Sequence, residues 1–155
     1  MSKVEIRKAL SHELKTVQNL ARHTIDKSYR SFLGDEGVDA FINSGESDKV
    51  VASNFERCYV LTDDENVRAY CIYSDDLIDI MMVDYEYHRQ GFGTQLLSYV
   101  ETQLFCLGHA TIRLETFKGN QLAIKFYLKN DWTIVREEAD EEYGFVRVFF
   151  EKYVK

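Results

Sequence analysis

Two short stretches hold residues whose types and spacing suit chemistry. The first, "YHRQGFGTQLLSYVE", starts at Tyr87 and sets Arg89, Gln90, Gly91, Phe92, Gly93 and Thr94 between an apolar run and an amphipathic one. Helix N-termini carry unpaired N–H groups and partial positive charge, and glycines admit an anion close to the backbone, so a phosphate fits there. A plain glycine turn fits the spacing too. The third glycine of a dinucleotide fingerprint would fall at Leu96, and no Gly-Lys-Ser/Thr of a P-loop is present. The second stretch, "LETFKGNQLAIKFYLKN", carries Glu115, Asn120 and Tyr127. Asn120, Ala123 and Tyr127 are spaced by three and four, hence on one helix face. A capping asparagine and a structural tyrosine are the alternatives to a chemical role. Glu115 alternates away from Ile112 and Leu114, as would a surface carboxylate paired with Arg113 or Lys118. Asp79, within the apolar run "LIDIMMV", is an odd residue to bury in a strand without a partner.

The flanking patterns predict the elements that hold these residues. "VEIRKA" alternates as a strand, and Ser11 is expected to cap a helix with the stripe Leu14, Val17, Leu20, Ala21 and Ile25. That helix should break at Gly34, with a second short helix over residues 38–42. "CYVLTD", "VRAYCIYS" and "LIDIMMV" read as three strands. Leu96, Leu97, Val100, Leu104 and Leu107 mark a helix closed by Gly108. "ATIRLETF" is a strand and "NQLAIKFYLKN" a helix, capped by Asn120, ended by a left-handed Asn130, and anchored in the core by Leu122 and Phe126. "WTIVREE" and "FVRVFFEKYV" close the chain as strands. The order β-α-α-β-β-β-α-β-α-β-β describes one α/β (α+β) domain spanning residues 1–155.

Composition narrows the function classes. The 155 residues, 45% hydrophobic and 29% charged, suit one ordinary globular domain. With 19 basic against 26 acidic side chains, the formal charge of −7 disfavours a nucleic-acid surface. No apolar run reaches the roughly 18 residues of a membrane span, and "MSKVEIRKAL" lacks a signal-peptide core. His12, His23, His88 and His109 lack metal-ligand spacing, so no metal site is expected. Cys58, Cys71 and Cys106 sit among apolar residues and read as buried reduced thiols, which fits a cytoplasmic protein.

Taken together, "IMMVDYEYHRQGFGTQLLSYVE" and "LETFKGNQLAIKFYLKNDW" resemble the two central motifs of the GNAT superfamily of acetyl-CoA-dependent N-acetyltransferases. Three departures stand out: His88 replaces an Arg/Gln, Asp131 replaces the glycine before the last aromatic, and Tyr85 replaces a proline. The resemblance implies a central, mixed, mostly antiparallel sheet of about seven strands, splayed between the fourth and fifth and flanked by helices. It implies that the backbone of Met81, Met82 and Val83 pairs with the pantetheine arm, and that residues 89–94 surround the pyrophosphate. Asn120 would contact the cofactor arm. Tyr127 would lie beside its sulfur as general acid, and Glu115, or else Asp79, would serve as base. The implied activity is direct acetyl transfer from acetyl-CoA to a primary amine, without a metal. A regulatory acyl-CoA-binding module, or transfer of another acyl group, is the alternative.

Acceptor choice is expected from the least family-like segments. Tyr29 and Phe32 lie in one, and Glu137, Glu138, Asp140, Glu141 and Glu142 lie in the other; Asp79 of the central strand is a further candidate to contact the acceptor. Those carboxylates favour a cationic acceptor such as a polyamine, an aminoglycoside-like amine or a peptide N-terminus; a solvated hairpin tip is the alternative. Monomer and homodimer both stay open, with "FVRVFFEKYV" as a candidate pairing edge.

Overall fold

The computed structural model describes residues 3–141 and 144–154. In chain order its elements are β1 (Val4–Lys8), α1 (Leu14–Ser28), α2 (Arg30–Asn43), α3 (Glu46–Ser53), β2 (Cys58–Asp63), β3 (Asn66–Ser74), β4 (Leu77–Val83), α4 (Phe92–Cys106), β5 (Thr111–Phe117), α5 (Gln121–Lys129), β6 (Thr133–Ala139) and β7 (Val146–Tyr153). The strands form one sheet in the order β1-β2-β3-β4-β5-β7-β6. Every neighbouring pair is antiparallel except β4 and β5, which are parallel because α4 crosses over between them.

Apolar side chains fill both faces of the sheet. On one face Leu96, Leu97, Val100 and Leu104 of α4 meet Ala69, Cys71, Ile78, Ile112 and Leu114. On the other, Val17, Leu20 and Ala21 of α1 and Val51 of α3 meet Val60, Tyr70 and Ile72. Covered on both faces, β3 reads as a nearly continuous apolar run. At the sheet's end all seven residues of β6 are exposed.

The parallel pair is short. Leu77 pairs with Arg113 and Ile78 with Leu114, and there the pairing ends. At the same point β4 bulges: its register against β3 passes from Tyr73↔Ile78 to Ile72↔Ile80, leaving Asp79 as the extra residue. A bulge bends and twists its strand, and here it carries β4 away from β5 while β3 follows it to Val83. The result is the expected splay. Asp79 is not a buried orphan: Arg57 Nη1 donates to its carboxylate at 2.8 Å and the Ser74 hydroxyl at 3.1 Å.

Several local expectations are corrected. Ser11 opens a short 3-10 turn before α1 without capping it; the Glu13 carboxylate accepts from the Leu10 N–H at 2.8 Å instead. The expected break at Gly34 is present (φ 80°, ψ 158°), but helix resumes directly after it rather than at residue 38, and α3 was not anticipated because its only buried apolar residue is Val51. Cys106 and Leu107 are exposed, the latter by 69%, since α4 buries the stripe through Leu104 and these positions turn off it. In α5, Ile124 and Tyr127 are the buried anchors and Leu122 is 67% exposed. The left-handed residue after α5 is Asp131 (φ 69°), not Asn130, with Trp132 N–H donating back to the Tyr127 carbonyl at 3.0 Å. β7 lies between β5 and β6, so the exposed edges are β1 and β6.

Glu13 generates a pH-dependent prediction. Its carboxylate, 7% exposed, accepts from both Arg7 Nη atoms at 2.8 and 3.0 Å. The Arg7 hydrogen bonds hold its pKa below the usual value, against an opposing push from burial. A depressed folded pKa contributes stability above the unfolded pKa of about 4.3, and that contribution is lost as pH falls through the folded value. Glu13→Gln is expected to cost about 1.5–3 kcal/mol at pH 7. The difference from wild type should shrink at pH 3, both read from urea unfolding midpoints.

Candidate active site

The splay leaves one edge of β4 open. In an antiparallel ladder successive residues turn their N–H and C=O groups to alternate sides. The Asp84 N–H donates to the Arg68 carbonyl at 2.8 Å, so Asp84 and Met82 face β3. Met81 and Val83 therefore present their backbone groups to the gap, whereas Met82 does not. The Val83 carbonyl already accepts from His88 Nε2 at 2.9 Å, and the Thr24 hydroxyl of α1 lies 3.5 Å away. This contact requires the Nε2–H tautomer of His88 and anchors the next loop to the end of β4.

That loop has the conformation an anion needs. Asp84 caps its first turn through the Glu86 N–H at 3.1 Å. Arg89 (φ 69°) and Gly91 (φ 80°) are left-handed on either side of Gln90, which is not. Alternating handedness turns successive N–H groups into one concavity. It opens onto the N-terminus of α4, whose first turn holds no acidic residue. Arg89, Gln90 and Thr94 are exposed, but Phe92 is 5% exposed and belongs to the core, leaving only its backbone for a ligand. A Cβ on Gly93 would lie 3.2 Å from the Phe126 ring and 3.3 Å from Val83 Cγ2. Glycine there lets α4, β4 and α5 converge.

Tyr127 rises from α5 into the core face beneath the gap. It is 8% exposed and packs against Phe126, Trp132 and Phe150 at centroid distances of 5.3, 6.1 and 5.6 Å. Burial pushes its phenol pKa well up, and the nearby Cys71 and Tyr29 groups push the same way. The hydroxyl is thus firmly protonated. Asn120 does act as the cap, its Oδ1 accepting from the Ala123 N–H at 3.3 Å.

Glu115 and Tyr127 lie on opposite faces of the sheet. Leu114 shares the Tyr127 core, so the next residue of β5 points to the α1 side. Its partner is Arg147 of β7, with Nη1 3.3 Å from Oε1, rather than Arg113 or Lys118. Arg113 pairs with Asp76, and Lys118 with Glu137. Above Glu115 the rings of Tyr29, Phe32, Phe117 and Phe145 pack in a chain at 5.1, 5.8 and 5.8 Å. Burial pushes the Tyr29 phenol up to about 12. A Cβ on Gly119 would stand 2.4 Å from Phe32 Cβ, so only glycine lets the first turn of α2 reach across to the β5–α5 loop.

The expected acidic hairpin is partly neutralised, with Glu137 on Lys118 and Glu138 on Arg136. Glu142 lies outside the described residues. Sequence reasoning missed Thr24, Phe117 and Arg147. An arginine one residue beyond a turn gives no sign of its partner until the β5–β7 register is known. Among the described residues no group of three or more His, Cys, Asp or Glu side chains is arranged for a metal ion. Nor is any helix there long and apolar enough to cross a membrane.

Comparison with known proteins agrees with this geometry. The Acetyltransferase (GNAT) family profile matches residues 20–132, and the chain belongs to that family. Its fold is shared with PaiA N-acetyltransferase from Thermoplasma acidophilum, solved in complex with coenzyme A (TM-score 0.80, 20% identity, 98% of this chain and 99% of that one). A GCN5-related N-acetyltransferase from Rhodopseudomonas palustris superposes with TM-score 0.85 at 14% identity, covering 99% and 98%. The ribosomal-protein-S18-alanine N-acetyltransferase of Escherichia coli gives 0.71 at 21%, covering 99% and 95%. No curated protein matches the sequence.

Arg89 supplies a test of the loop geometry. A non-glycine residue in the left-handed region costs about 1–2 kcal/mol, and glycine returns part of that gain as unfolded-chain freedom. Arg89→Gly is expected to stabilise the protein by up to about 1 kcal/mol in urea unfolding. A loss of stability would mean that the arginine side chain itself holds the loop.

Proposed function

We propose that the protein transfers acetyl from acetyl-CoA directly to a primary amine. The observation that carries this reading is the continuous track from the open Met81 and Val83 edge to the alternating Arg89–Gln90–Gly91 loop at the start of α4. An edge with unpaired amide groups suits strand-like addition of an extended amide chain. The concavity beyond it suits a pyrophosphate. Two groups of different chemistry therefore meet binding elements of matching chemistry, in the order in which coenzyme A carries them. Gly93, against Val83 and the Phe126 ring, lies along the same track, and Asn120 at the start of α5 is proposed to reach it.

Acetyl-CoA supplies the acetyl group as a thioester. In the proposed reaction the acceptor nitrogen forms a bond to the thioester carbon, the carbon–sulfur bond breaks, and the sulfur leaves with the electron pair. Tyr127 delivers the proton that the departing sulfur needs. Its elevated pKa keeps that proton in place until the sulfur develops charge. Glu115, on the opposite side of the gap, takes the proton lost by the amine, directly or through a water. Release from Arg147 frees its carboxylate for that task. A gap-facing N–H of Met81 or Val83 polarises the acetyl carbonyl. Asp79 has a different part: paired with Arg57, it fixes the bulge that opens the gap.

The reading is tested by thiol release from acetyl-CoA across a panel of amines, peptides and aminoglycosides. Tyr127→Phe is expected to lower kcat by about 10²-fold or more while leaving acetyl-CoA affinity within a few-fold. Unchanged kcat removes the general-acid role. Acetyl-CoA binding without thiol release on any amine removes the transferase reading.

A further inference from the structure

Behind Tyr127, away from the gap, two charged side chains are held almost out of water. Glu101 of α4 and Lys152 of β7 have side chains only 12% and 15% exposed, and their charged atoms are 2.8 Å apart. Neither touches the splay. Each makes one further contact: Glu101 Oε2 accepts from the Trp132 indole N–H at 2.8 Å, and Lys152 Nζ donates to the Asn130 carbonyl at 3.0 Å. Those two partners stand directly after α5, the helix that carries Tyr127. Asn130 is its C-cap, and Trp132 both donates its N–H to the Tyr127 carbonyl and packs its ring 6.1 Å from the Tyr127 ring.

The last turn of α5 is therefore fixed at two points by one ion pair that reaches it from α4 and β7. A salt bridge this shielded is weak evidence of net stabilisation, because taking both charges out of water offsets most of their attraction. What it does supply is direction. The carboxylate sets the indole plane, and the ammonium occupies a carbonyl that the helix leaves unpaired. Both constrain the turn at Asp131, where a left-handed non-glycine residue gives the chain a reason to relax.

We propose that Glu101 and Lys152 are positioning residues that act through Trp132 and Asn130 to hold the Tyr127 hydroxyl at the gap. This rests on the general-acid reading of Tyr127. An angstrom of misplacement costs a proton-transfer group up to about 10²-fold in rate. The pair's loss therefore reaches kcat and leaves the cofactor track, on the other side of α5, unaltered.

The test is a double-mutant cycle in the full chain, with Lys152→Met and Trp132→Phe each made alone and with Tyr127→Phe. Trp132→Phe keeps an aromatic ring at this buried position while removing the indole N–H and part of the ring, so with its urea unfolding midpoint measured alongside it guards against a Lys152→Met protein that does not fold. Each single change is expected to lower kcat by about ten- to a hundredfold with acetyl-CoA affinity within a few-fold. Each should also move the basic limb of the kcat–pH profile to lower pH, as the loosened phenol meets water. In the Tyr127→Phe background neither should lower kcat further. Full additivity in that background, or an unmoved basic limb, overturns the proposal and leaves the general-acid reading intact. A Tyr127→Phe protein with wild-type kcat removes the general-acid reading and the proposal with it.

Discussion

The structure turns on a pairing that fails. Two parallel strands that could run side by side from Leu77 onward hold register for only two residue pairs. The divergence has a local cause, an extra residue in β4, and that residue is an aspartate secured by Arg57 and Ser74. Sheet backbones ordinarily satisfy every amide. Here one edge stays open inside the sheet, where β4 leaves β5 after Ile78, and its amides line the slot between the two strands. The bulge also moves β4 side chains between cores: Ile78 belongs to the α4 face, and Ile80 and Met82 to the α1 face.

Around that slot the fold sorts its functions by side. The α4 and α5 side supplies a helix N-terminus, glycine clearance at Gly93 and a tyrosine kept protonated by burial. The α1 and α2 side supplies a carboxylate and a run of aromatic rings. The Tyr127 phenol and the Glu115 carboxylate are thereby kept apart by a layer of sheet.

Much of this could be read before any coordinates. Strand and helix identities follow from periodicity, and "LIDIMMV" coincides with β4 residue for residue. The left-handed turn at residues 130–131 was legible as chemistry though assigned one position early, since Asn and Asp both tolerate that conformation. What could not be read was anything set by register between distant strands. The Glu115–Arg147 pair, the outward turn of Met81 and Val83, and the interior position of β7 all depend on which residues stand opposite one another. Leu122 and Leu107 misled for a related reason: apolar type marks a helix, but the buried stripe is chosen by the sheet beneath it. α3 escaped notice because one buried valine leaves no periodic signal.

The contact of Phe32 with Gly119 joins two segments with no other sequence relation. One belongs to the first turn of α2, and the other to the loop that launches α5. Because the space is filled to the last carbon, neither position drifts alone across descendants of this sequence. A side chain gained at 119 is viable in company with one lost at 32. Any lineage that reshapes the first turn of α2 carries a matching imprint in that loop, and the pair serves as a marker of such a change.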